Sequence, residues 1–173
     1  WRIVLAWRCY MPDVSVFCVR ANSGQYTSEF VADGYAGIGW FDDHLDGLDD
    51  LAALRERFQQ RYPEIGNLAA GNQVGQIARF LFEISPGDYI ITPGYESGEL
   101  YYGVVQSGGP FFRTPDPGRC PYAQRIPVEW ASEPILRHQL SVPLQNTLRA
   151  MLTVYRVATP RSFFESIGRA ELV

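Results

Sequence analysis

Lysine does not occur in this 173-residue chain, and all 15 of its cationic residues are arginine. A P-loop needs the lysine of G-x-x-x-x-G-K-[ST] to reach the phosphates, so nucleotide hydrolysis by that route is excluded. A nuclease core of two carboxylates and a lysine around magnesium is disfavoured on the same ground, although Asp88 and Glu99 flank a hairpin suggestively. Histidine is nearly as scarce. His44 and His138 stand in no Ser/His/Asp or Cys/His pattern, and together with Cys9, Cys18 and Cys120 they show no metal-ligand spacing. An odd number of cysteines without C-x-x-C reads as buried thiols in a reducing, cytoplasmic setting rather than a disulfide framework. Long apolar runs are missing as well. None approaches the roughly 18 residues of a membrane span, and no basic, apolar leader opens the chain, so a soluble protein with no membrane partner is expected. No motif calls for a cofactor. The first residue, Trp1, is not Met, which reads as an excised fragment or a processed product.

What is present suits one domain of ordinary size with a real core: 46% apolar, 14% aromatic and 20% charged residues. The formal net charge of -4 argues against indiscriminate coating of nucleic acid. Charge is unevenly spread. Glu29, Asp33, Asp42, Asp43, Asp46, Asp49 and Asp50 fall in a window without arginine, whereas residues 111–161 hold seven arginines against Asp116, Glu129 and Glu133. Arginine offers a planar fork for phosphates and a face that stacks on bases, and codon bias in a GC-rich genome accounts for its exclusive use equally well.

The stretch Asp33–Asp43, D-G-Y-A-G-I-G-W-F-D-D, organises the rest. Gly34, Gly37 and Gly39 leave little side chain to pack. Tyr35, Gly37 and Gly39 alternate with Ala36, Ile38 and Trp40, which predicts a strand whose backbone something approaches closely. Trp40 falls where strand becomes loop, beside Asp42 and Asp43, a π-face next to hydrogen-bond acceptors of the kind that holds a nucleobase. The competing reading makes Trp40 a core tryptophan and the aspartates caps of the next helix.

Around this stretch, residues 2–7 and 14–20 predict strands, and Ser23 to Val31 a short helix capped by Ser23. Leu48, Leu51, Leu54 and Phe58 place a helix over 46–62, with Arg55 and Arg57 outward. Val74, Ile77, Ala78, Leu81 and Phe82 place another over 72–84, with Asn72 its cap. Ser85-Pro86-Gly87-Asp88 is a turn, and residues 89–92 and 100–106 form a hairpin. Prolines make 111–124 irregular. Residues 125–130 return as a strand whose Pro127 needs an edge or a bulge. A helix over 140–152 and a strand over 153–157 close the fold. The order implies α+β architecture, a small barrel of five or six strands with helices packed outside, over residues 1–157. Residues 158–173 read as a connector or an amphipathic helix toward an absent effector domain.

Trp40 after a glycine strand, the helix at Asn72, P-G-D-Y-I-I at 86–91, Y-Y-G-V-V at 101–105 and R-I-P-V-E-W at 125–130 together resemble the EVE and YTH branches of the PUA-like superfamily. They are most similar to the N-terminal modified-DNA-sensing domains of modification-dependent, type IV restriction endonucleases of McrB and Mrr type. The resemblance implies a non-catalytic, DNA-binding reader that takes a methylated or hydroxymethylated base, flipped from the duplex, into an aromatic cage and targets an attached nuclease domain. Carried over by position, Trp40 is the first cage wall, Asn72 a polar contact at the helix start, and Phe111, Phe112 or Tyr122 another wall. Tyr35 and Asp42 complete the base-binding set, and Arg113, Arg119 and Arg125 flank the same loop as candidate phosphate contacts. For these residues the plain alternatives are loop anchoring, helix capping and solvated surface. Trp7 and Trp130 are assigned to the core. Two other functions stay open: a small hydrolase or transferase using Asp42, Asp43 and His44, and a protein-binding module.

Overall fold

The computed structural model describes residues 14–170. The strand expected at 2–7, with Trp7, lies outside the described residues. Strand β1 (Val16–Val19) is the apolar run V-F-C-V, and all four residues are fully buried. Phe17 and Val19 enter the larger of two cores, while Val16 and Cys18 enter the smaller. A strand covered on both faces has no use for polar alternation, which is why this run has none.

The sheet grows outward from there. β1 lies parallel to β3 (Tyr89–Pro93) and antiparallel to β8 (Val154–Arg156). Asp88 starts β3: its two carboxylate oxygens accept from the amides of Ser15 at 3.0 Å and Ser85 at 2.9 Å, locking the expected turn. β3 forms the expected hairpin with β4 (Glu99–Val105), which pairs with β6 (Gln124–Trp130), which pairs in turn with β2 (Tyr35–Ile38). The path β2-β6-β4-β3-β1-β8 has six strands. Short β5 (Phe111–Phe112) adds to β6, and β7 (Ile135–Leu136) adds to β4. This mixed sheet curls into a half-barrel, the α+β architecture expected. Pro127 sits where β6 leaves the β4 ladder. Its carbonyl accepts from Gln106, the pairing with β4 stops at Val105↔Val128, and the missing amide costs no ladder bond.

Helices cover both faces. α1 (Thr27–Asp33), α2 (Leu51–Arg61) and α3 (Asn67–Ala78), the last continued by a π-turn at Arg79–Glu83, supply Phe30, Leu54, Phe58, Val74, Ile77 and Phe80 to the larger core. Each such side chain contributes about 1.5–3 kcal/mol on burial, so packing rather than helix propensity holds these short helices. α4 (Val142–Thr147) and α5 (Pro160–Ala170) supply Leu144 and Phe163 to the smaller core.

Several helix starts differ from expectation, for local reasons. Asn22 and Ser23 adopt φ of 51° and 54°, so Ser23 caps nothing and α1 waits until Thr27. Gly24 follows at φ 86°, where a Cβ would stand 2.4 Å from the Tyr95 amide nitrogen, so only glycine fits this loop. α2 starts at its cap Asp50, whose carboxylate accepts from Ala53 at 2.7 Å, and not at Asp46. α3 starts behind Gly66, which places Asn72 inside the helix, accepting from the Gln76 amide at 2.8 Å. The helix expected over 140–152 stops after Thr147. The Arg20 guanidinium takes the carbonyls of Leu148 and Ala150 at 2.6 and 2.7 Å, so the chain can leave the helix without orphaned acceptors.

Candidate functional site

β2 ends at Ile38, and the next two residues turn its edge into an aromatic corner. A Cβ on Gly39 would lie 2.5 and 2.6 Å from Cε1 and Cδ1 of Tyr122, so the Tyr122 ring rests where a side chain is missing. The close approach to the glycine strand is therefore made by the chain itself, from the loop before β6. Two sets of contacts fix that loop. Arg119 pairs with Asp33 at 2.8 Å and Glu29 at 3.7 Å on α1, and Glu29 also accepts from the Cys120 amide at 2.8 Å. From β6, Arg125 donates to the Tyr122 carbonyl at 2.8 Å while its guanidinium lies 4.0 Å over the Tyr35 ring. The Tyr122 ring meets Tyr26 edge-on at 5.4 Å. Burial pushes its phenol up to about 12, so it acts as a neutral hydroxyl at physiological pH.

Trp40, the chain neighbour of Gly39, is half-buried. Its indole N–H donates to Gln73 on α3 at 2.9 Å, and its carbonyl accepts from the hydroxyl of Tyr62 at the end of α2. Tyr26, Trp40 and Tyr122 all border the larger core without being sealed in it. Trp40 is tied to α3 through its indole and to Tyr62 through its carbonyl, and the Tyr122 loop is tied to α1 and β6, which holds two partly open aromatic side chains beside Gly39.

The other expected site residues separate into groups. Tyr35 is 3% exposed and Arg125 6%, so neither reaches a ligand at the surface; Arg125 holds the Tyr122 carbonyl and Tyr35 lies against Arg125. Burial drives the Tyr35 phenol well above its usual range. Arg119 is committed to α1, whereas Arg113 stands exposed, 3.9 Å from Asp116. Asn72 is exposed on α3, one residue before Gln73, the side chain that reaches Trp40. Asp42 is exposed 3.8 Å from Arg61, Asp43 pairs with Arg57, and the His44 ring stacks on Phe112 at 3.8 Å. These last three residues face three different partners and form no common acid–base centre.

Phe111 and Phe112 are not at the corner. They line a cleft of about 340 Å³ together with Leu48, Leu81, Phe82 and Gln124. Sequence reasoning missed Tyr26, Gln73 and Gln124; only Tyr26, in a polar loop, carried a local signal as an aromatic beside Asn22-Ser23-Gly24.

Residues 16–158 match the model of the family described as Domain of unknown function (DUF8426). The chain belongs to that family. The DUF8426 match runs from β1 past β8, and so contains both the corner and the cleft. No curated protein matches the chain. Among solved structures, it is similar to the YTH domain of the Zygosaccharomyces rouxii MRB1 protein in complex with N6-methyladenosine RNA, at 11% identity over 90% of this chain and 88% of that chain, with a TM-score of 0.46. No group of histidine, cysteine and carboxylate among the described DUF8426 residues is arranged to hold a metal ion, and no helix among them is long and apolar enough to cross a membrane.

Proposed function

We propose that this domain is a non-catalytic reader of a modified base in DNA, and that the base is taken out of the duplex onto the Trp40–Tyr122 corner and so directs an attached nuclease. One observation carries the reading: the Tyr122 ring rests on Gly39, the chain neighbour of Trp40, and both aromatic side chains border the core while staying partly open. A base stacked there gains about 1–3 kcal/mol, and a methyl group buried among the aromatics adds to it, whereas an unmodified base faces the same unstacking cost without the methyl contact. The neutral Tyr122 hydroxyl supplies a donor or acceptor to the base edge. Arg113, exposed on the same connecting loop, is the arginine placed for a flanking phosphate.

The test is a binding titration with duplexes carrying methylcytosine, hydroxymethylcytosine, methyladenine or no modification, repeated with the equivalent RNA. Preference for one modification, lost in Trp40→Ala with the melting temperature retained, is the expected result. Equal binding of all probes, or no binding of any, would end the reading.

A further inference from the structure

The cleft that holds Phe111 and Phe112 has chemistry unlike the corner. Its walls are apolar, with Phe82 40% and Phe111 41% exposed. Its rim is acidic: Asp46 has only His44, at 3.9 Å, and Asp49 has no cationic partner among the described residues. Its floor contains Gln124, only 4% exposed. The Gln124 amide nitrogen donates to the Asp43 carbonyl at 2.7 Å, and its Oε1 has no partner among the described residues, which leaves an acceptor open on a side chain that lines the cleft. Uncompensated carboxylates at the mouth repel phosphates, so a nucleic-acid strand is a poor occupant.

We propose that this cleft docks a cationic amphipathic segment of a partner protein, with apolar side chains against Phe82, Phe111 and Phe112, arginine or lysine at Asp46 and Asp49, and a donor to Gln124. Charge complementarity selects this occupant: the rim needs positive charge, the walls need apolar surface, and the open Oε1 needs an N–H. About 340 Å³ accommodates a few side chains rather than a folded surface, which fits one short segment.

A fluorescent peptide with leucines along one helical face and arginines on the other is titrated into the whole chain, beside a peptide in which glutamates replace the arginines. The expected result is binding of the arginine peptide alone, weakened by salt. Phe82→Ser should weaken it about tenfold or more, and Phe82 is exposed enough that the fold survives the change. The double variant Asp46→Arg, Asp49→Arg, at two surface positions, should reverse the choice and admit the glutamate peptide. Indifference to peptide charge, or full binding by Phe82→Ser, overturns the proposal. So does loss of modified-DNA binding in these same variants, because that would make the cleft the base site. Failure of the reader proposal alone, with no modification preferred by any probe, leaves the peptide result standing.

Discussion

The corner at Gly39 and the cleft at Phe111 are both aromatic, yet one is held rigidly and the other stands open. At the corner every ring has a polar tether: Trp40 to Gln73, Tyr122 through its backbone to Arg125 and through its loop to α1. In the cleft the backbone of Phe111 and Phe112 pairs with β6, but their rings carry no polar atom, and the Gln124 amide beside them has an Oε1 without a partner among the described residues. Recognition of a flat ring needs fixed planes, whereas docking of a flexible segment needs accessible apolar area and a charge of the right sign.

The strongest way to break the contrast is beneath the corner. Phe30 is fully buried with its ring 5.0 Å from Tyr35 and 6.3 Å from Tyr122, so Phe30→Ala should cost about 3–5 kcal/mol by urea denaturation, whereas Phe82→Ala in the cleft should stay within about 0.5 kcal/mol. Comparable losses would show that the corner is not better supported. Next, Gly39→Ala forces the Tyr122 ring aside, and overpacking of this kind typically costs about 1–3 kcal/mol. Modified-DNA affinity should fall with it while peptide affinity holds. Trp40→Ala should spare most of the stability and remove about 1–3 kcal/mol of stacking, at least fivefold in affinity; a variant that binds like the parent would detach Trp40 from recognition. Arg119→Ala breaks partly exposed ion pairs, and roughly 1 kcal/mol or less is expected, vanishing at high salt.

An alkaline titration sharpens the picture of the interior. Cys18 is raised from 9.0 to about 11, chiefly by burial, and Tyr122 from 10.0 to about 12. Raised values mean that the folded state keeps protons that the unfolded chain releases. Stability should therefore be flat below pH 9 and decline between about pH 9 and 12, which urea midpoints measured across that range will show. A midpoint that does not fall there would mean that these groups ionise freely in the native protein.

Much of the architecture was legible because the elements carry local signals. The turn at Ser85–Asp88 announces the end of the helix before β3, the β-rich runs at 89–92 and 100–106 announce the β3–β4 hairpin, and Leu54 and Phe58 announce the buried side of α2. The starts of α1 and α3 were not legible. Ser23 looks like a cap, but the left-handed loop pressed against Tyr95 takes precedence, and Leu68-Ala69-Ala70 carries α3 back past Asn72. At the site, the need for something to lie against the glycine strand was legible, while the residue that does so comes from a loop far along the chain. The burial of Arg125 was invisible for the same reason. An arginine between Gln124 and Ile126 on a strand has no local mark of facing inward, and only the arrival of the Tyr35 ring beneath it makes burial tolerable.

The central place of β1 governs how this molecule comes to exist in time. Its ends are bonded to partners 73 and 130 positions away, through Ser15 to Asp88 and Arg20 to Ala150, and its edge to β8 closes only when Val154–Arg156 is available. Closing loops of that length is entropically slow, so the last described strand completes a sheet whose first described strand has waited until then. Until then the four apolar residues of β1 have no cover on that side. Refolding should be limited by this late closure, and a chain ended before β8 would present an open, fully apolar strand edge, a template for aggregation rather than a smaller reader.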